Sequence, residues 1–142
     1  MSISQISIFV ENKPGKLAKL TRFMAEQDIN LRALSIADTQ DFGILRIITA
    51  RPERANTLLH EAGYLTKINH VLAVAMPDEP GALAEVLTAL ADAGVGVEYT
   101  YAFVSYKPGE AYMIFRVDDR EAAEAALSAD GIRLVEQGEI FG

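Results

Sequence analysis

The chain has 142 residues, half of them hydrophobic, with 13 basic against 20 acidic side chains and a net charge of −7 at pH 7. A surface of that sign repels phosphates, and Arg32, Arg46, Arg51 and Arg54 fall on different predicted elements rather than in one stripe, which counts against nucleic acid as a partner. With no cysteine, and with His60 and His70 as the only imidazoles, neither disulfides, a metal nor a cofactor is expected.

Apolar and polar residues alternate imperfectly from Ile3 to Val10, which predicts a strand. The ring of Pro14 pushes Lys13 toward an extended conformation, and Gly15 lets the backbone turn without a Cβ clash. Leu17, Leu20, Met24 and Ala25 then recur at helical spacing, predicting a helix to Gln27. Asp28 stands where the chain leaves that helix, and aspartate tolerates positive φ. Ile29-Asn30-Leu31 reads as the opening of a second strand running to about Asp38. Thr39 to Gly43 is a turn cluster, and Ile44 to Ala50 a third strand. Pro52 starts a second helix at a position where its missing N–H costs nothing. Ala55, Leu58, Leu59 and Ala62 share one face of it, Gly63 stops it, and Tyr64 to Ile68 is a short fourth strand.

The order then repeats. Val71 to Met76 is a strand, Pro80-Gly81 a turn, and Leu83, Val86, Leu87 and Leu90 a helix face that Gly94 ends. Val97 to Val104 and Tyr112 to Val117 are strands flanking the turn Lys107-Pro108-Gly109. Asp118 and Asp119 cap a helix carrying Ala123, Ala126 and Leu127 inward, and Gly131 leads to a last strand, Ile132 to Glu136. Pro14 to Pro80 and Gly15 to Gly81 span the same interval of 66 residues, so the chain is two copies of one unit, residues 1–69 and 70–142. Each copy reads as a ferredoxin-like βαββαβ unit in the α+β class, with both helices on one face of an antiparallel sheet. The junction Ile68-Asn69-His70-Val71 is too short for a flexible linker, and unpaired edges are a liability, so the units are expected side by side in one continuous antiparallel sheet.

A unit of this kind carrying Asp/Asn-x-Pro-Gly-x-Leu between its first strand and first helix resembles the ACT domain, a regulatory amino-acid-binding module. The matches are Asn12, Pro14, Gly15 and Leu17, with Lys13 and Lys16 between them, and Asp78, Pro80, Gly81 and Leu83, with Glu79 and Ala82 between them. The family's second signature, Gly-Ile/Val-Asn-Ile/Leu, is matched by Ile29-Asn30-Leu31 and Gly94-Val95, with Asp28 and Gly96 as departures. The resemblance covers all but the tail from Gln137. It implies paired units and a free amino acid at their seam, touching the Pro-Gly turn of one unit and the second strand of its neighbour. For the first turn those neighbouring residues are expected to be Val97, Glu98 and Tyr99. The tandem also resembles freestanding ACT proteins and the regulatory subunit of acetolactate synthase, which makes a biosynthetic enzyme the alternative partner.

The chemistry of the turn agrees with that implication. A backbone rich in N–H groups at a helix start attracts a carboxylate, and Lys13 favours one at the first turn, whereas Asp78 and Glu79 make the second acidic. Asn12 offers an amide to either end of the ligand. Tyr99, Tyr101 and Phe103 form a period-two aromatic row, expected to meet its symmetry mate in a homodimer. No serine-histidine-acid, paired-carboxylate or glycine-rich phosphate motif stands out, so no catalysis is expected. The N-terminal residues show no basic segment followed by a long apolar run, and no stretch approaches the roughly 18 apolar residues of a membrane span, so a cytoplasmic protein is expected.

Overall fold

The computed structural model describes residues 2–38, 42–103 and 107–141. Contacts divide the chain into two compact units, one of Ser4–Asn69 and one of His70–Gly142 together with Met1–Ile3. The turn cluster at Thr39 to Asp41 and the predicted strand end at Val104 lie outside the described residues.

The first unit contains β1 (Ile3–Glu11), α1 (Lys16–Glu26), β2 (Ala33–Asp38), β3 (Phe42–Ile48), α2 (Pro52–Glu61) and the start of β4 (Leu65–Pro77). Its strands lie in the order β2-β3-β1-β4, with β3 antiparallel to both β1 and β2. The register aligns Ile8, Leu45 and Ile36 in one row and Ile6, Ile47 and Leu34 in the next. Strand periodicity puts both rows on one face, and Leu20 and Met24 of α1 with Ala55 and Leu59 of α2 cover it. Burial of each large side chain there contributes roughly 1.5–3 kcal/mol. The helices do not reach the outer ends of the rows, where Leu34 and Ile36 stay 50% and 51% exposed.

The second unit repeats the plan with the rest of β4, α3 (Ala82–Asp92), β5 (Val97–Phe103), β6 (Glu110–Val117), α4 (Arg120–Ala129), β7 (Arg133–Val135) and a short α5 (Gln137–Phe141). Its order is β5-β6-β4-β7. Leu72, Val74, Met76, Phe115 and Val117 form the sheet side of its core, and Val86, Leu90 and Leu127 the helix side. Asp119 caps α4 by accepting the Ala122 N–H at 3.1 Å, as its position predicts.

The four long helices end alike. A left-handed residue follows each, Asp28 (φ 57°), Gly63, Gly94 and Gly131, and the next residue returns an N–H to the carbonyl five positions back, as Ile29 does to Met24 at 2.8 Å. This closure explains the first departure from the sequence reading. Ile29 is buried as the apolar plug of the α1 terminus, so the second strand begins at Ala33 rather than Ile29. A second departure is that Tyr64–Ile68 and Val71–Met76, expected as separate strands, merge into the thirteen-residue β4, because no residue between them breaks the extended chain. A third is α5 in the tail. Arg133 holds it by donating to Glu139 Oε1 at 2.9 Å and to Glu110 Oε1 at 2.9 Å, while Glu139 Oε2 accepts the Glu136 N–H at 2.8 Å. Among the described residues no helix is long and apolar enough to cross a membrane.

Because Asp28 alone among these left-handed residues carries a Cβ, Asp28→Gly should raise unfolding stability by up to about 1 kcal/mol. Urea unfolding reads this directly, and a loss of stability would show that the aspartate makes a compensating contact.

Candidate functional site

β1 of the first unit ends at Glu11, and the chain reverses through Asn12-Lys13-Pro14-Gly15 before α1 begins. Gly15 adopts φ 85° as the residue preceding the helix, a conformation that a side chain disfavours. Inside the turn Lys13 N–H donates to Glu11 O at 2.9 Å and Lys16 N–H to Lys13 O at 3.2 Å. The N–H groups of Gly15, Leu17 and Ala18 have no acceptor among the described residues. Unsatisfied donors at the positive end of a helix are a ready receptor for a carboxylate.

A cavity of about 80 Å³ opens beside this turn, lined by Val10, Glu11, Asn12, Lys13, Leu17, Ile36, Gly43 and Leu45. Leu17 and Ile36 are 38% and 51% exposed, so apolar surface faces water at a place where backbone donors also converge. The charge at the turn is smaller than Lys13 alone suggests. Its Nζ lies 3.1 Å from Glu11 Oε2, and both side chains are largely exposed. The lysine holds the Glu11 carboxyl below its ordinary value, first through the hydrogen bond and then through charge, with Lys16 adding to the effect. The surface pair cancels the charge of Lys13 and leaves Lys16 as the positive side chain nearest the turn.

The second turn has the same backbone. Gly81 adopts φ 92°, Glu79 N–H donates to Pro77 O at 3.0 Å and Ala82 N–H to Glu79 O at 3.3 Å. Its Asp78 N–H donates to Gly109 O at 2.9 Å, fastening the turn to the end of the β5-β6 hairpin. Leu83 repeats the exposure of Leu17, at 37%. The facing strand differs: where the first unit carries Leu34 and Ile36, the repeat places Thr100 and Ala102. Asp78, Glu79 and Pro80 are exposed, and Ala82 is buried in the core.

The other expected residues sit elsewhere. Asn30 is exposed and Leu31 packs at the margin of the first core. Asn30 lines a separate cleft of about 160 Å³ with Arg51, Arg54 and Thr49. Neither residue lines the cavity at the first turn. Val97 packs against the second unit's core, and Glu98 pairs with Arg116 at 3.1 Å. Tyr99 stacks on Tyr101 with ring centroids 6.4 Å apart. Tyr99, Tyr101 and Phe103 pair with Arg116, Ile114 and Tyr112, on the face away from α3 and α4, and all three are half-buried. Val10, Glu11, Ile36, Gly43 and Leu45 line the cavity and are residues that sequence reasoning did not assign to the site. The available signal was Ile36 itself, a large apolar residue where the other copy has alanine. Among the described residues no cluster of three or more histidines and carboxylates is arranged to hold a metal.

Comparison with known proteins agrees with this fold. A family model described as an ACT domain pair matches residues 1–141. The crystal structure of protein BT0572 from Bacteroides thetaiotaomicron is similar at 35% identity and a TM-score of 0.92, covering 99% of this chain and 96% of that one. The ligand-free regulatory subunit of aspartate kinase from Thermus thermophilus shares the fold at 20% identity and a TM-score of 0.67, with 90% of each chain covered. The corresponding subunit from Thermus flavus does so at 19% identity and 0.64, covering 98% of this chain and 92% of that one. No curated protein matches the chain.

In an NMR titration Glu11 should protonate below the ordinary carboxyl range, and Lys13→Gln should return it toward that range. A depressed folded pKa stabilises the folded turn above the unfolded value, and that contribution disappears as pH falls through the folded one. An unchanged Glu11 midpoint in Lys13→Gln would show that the pair does not form in solution.

Proposed function

The chain belongs to the ACT domain pair family, and from that premise we propose that it is a non-catalytic sensor of a free amino acid with a small aliphatic side chain, held at the Asn12–Leu17 turn. The observation that carries this reading is that a small apolar-walled cavity lies beside a helix start with unsatisfied N–H donors, with Leu17 belonging to both. The carboxylate meets the N–H groups of Gly15, Leu17 and Ala18, each charge-assisted bond being worth about 1.5–3 kcal/mol. The side chain lies against Leu17, Ile36 and Leu45. Asn12 supplies an acceptor for the ammonium. About 80 Å³ holds a side chain rather than a whole amino acid. A second ACT unit is therefore needed to cover the rest of the ligand, as the family pattern implies. The second turn keeps the backbone but faces Thr100 and Ala102, and Asp78 and Glu79 oppose a carboxylate.

A second reading, a subunit that binds and controls a biosynthetic enzyme such as acetolactate synthase, draws on the exposed Leu34, Ile36 and Phe42. It requires a partner chain, whereas the sensor requires only the ligand. Self-association through Tyr99, Tyr101 and Phe103 fits either reading. A dimeric mass by light scattering supports it, and a monomer at high concentration contradicts it.

A thermal-shift screen of the twenty amino acids tests the sensor. A specific ligand at about a hundred times its Kd adds roughly 2.7 kcal/mol of stability. Ile36→Asp should abolish the shift, and Leu83→Asp should leave it intact. No shift with any amino acid would overturn the reading, and loss of the shift in Leu83→Asp alone would move the site to the second turn.

A further inference from the structure

The first unit also holds a larger cavity of about 420 Å³, which shares Val10 and Glu11 with the turn pocket and lies where the end of β1, α1 and the start of β4 meet. Phe9, Phe23, Phe42, Tyr64 and Leu65 supply its apolar lining, and Lys16, Lys19 and Glu11 its charges. Phe23 and Tyr64 stand with ring centroids 6.2 Å apart at 43°, making an aromatic wall. Phe9, Phe42 and Leu65 are 39%, 50% and 65% exposed, so the apolar surface is open to solvent. Lys16 and Lys19, three positions apart, lie on one side of α1. Neither has a carboxylate within ion-pairing distance among the described residues, and the single acid lining the cavity, Glu11, is paired to Lys13 at 3.1 Å. A net positive, aromatic cavity is an unusual feature of a chain carrying −7.

The second unit contains the same cavity by the repeat. Phe9, Lys16, Lys19, Tyr64 and Leu65 correspond to Ala75, Ala82, Glu85, Ile132 and Arg133, all of which line a cavity of about 270 Å³. The fold therefore generates a hollow at this point in both copies. Only the first copy furnishes it with rings and unpaired ammonium groups. In the second, Glu85 replaces a lysine, and Arg133 is bound to Glu110 and Glu139.

We propose that the first cavity is a second binding site, for an amphipathic organic carboxylate whose aromatic or apolar body lies on Phe9, Phe23 and Tyr64 and whose anion meets Lys16 and Lys19. Its volume lies within the roughly 300–1,000 Å³ of ordinary small-molecule sites. The ammonium of a free amino acid has no acceptor there beyond the paired Glu11, so the ligand is an acid without an amine. The turn pocket takes the opposite kind of molecule.

The test is calorimetry with 3-phenylpropionate and its uncharged amide, on the full chain. The carboxylate should bind saturably with a Kd below about 1 mM, and the amide should bind about tenfold more weakly. Lys19→Glu and Leu65→Glu change exposed side chains, so circular dichroism should show both folded, and each should weaken the carboxylate about tenfold or more. Ile36→Asp, which removes the apolar wall of the turn pocket, should leave this binding unchanged. Absence of saturable binding, equal affinity in Lys19→Glu and Leu65→Glu, or loss of binding in Ile36→Asp would each overturn the proposal.

Discussion

A left-handed glycine between the first strand and first helix of each unit is the constraint on which the rest depends. Gly15 and Gly81 adopt φ 85° and 92°, and neither helix start has a side-chain cap. The reversal lays the helix back over its strand, where Leu20 and Met24, or Val86 and Leu90, meet the sheet. It also leaves backbone donors unsatisfied at the start of the helix. Satisfying them with a capping side chain would steady the helix by about 1 kcal/mol and occupy the place a ligand carboxylate would take. One backbone requirement thus makes both the core and the open donors on which the proposed site rests.

Duplication copied that requirement, and the side chains around it then separated. The second strands show this most clearly. In the first unit the helix-side positions carry Leu34 and Ile36, and the far side carries Ala33, Ser35 and Ala37. In the second unit the helix-side positions carry Thr100 and Ala102, and Tyr99, Tyr101 and Phe103 lie on the far side. The bulky side chains of this strand have exchanged faces between copies. A register shift between Val97 and Tyr99 accompanies the change. The same divergence separates the two larger cavities, where one lysine has become a glutamate and an exposed leucine an arginine bound by two carboxylates.

Local chemistry was what the sequence made readable. The Pro-Gly turns, the positive φ of Asp28, the proline at the start of α2 and the cap at Asp119 each follow from one residue and its neighbours. Features set by distant contacts were not readable in the same way. Ile29 looked like a strand residue because apolar side chains serve strands and helix plugs alike. The continuity of β4 was hidden because nothing local distinguishes a short loop of ordinary residues from unbroken extended chain. The five residues of α5 have no amphipathic period long enough to read, and they are secured by Arg133 donating to Glu139, its guanidinium also held by Glu110, far away in sequence. At the site, Asn12, Lys13 and Leu17 came from the turn itself, whereas Gly43, Leu45 and Ile36 enter through strand register. The Lys13–Glu11 pair was likewise beyond the sequence, since alternating strand side chains need not place a terminal glutamate beside the lysine two residues on.

The central claim is that two matching backbones carry one amino-acid site, in the first unit. Methyl-resolved NMR during titration with the aliphatic amino acid that stabilises the chain most strongly tests it directly. Saturating shifts at Leu17, Ile36 and Leu45, with Leu83 unmoved, are the predicted result. Shifts at Leu83 with Leu17 and Ile36 unmoved, or matching shifts at both turns, would contradict it.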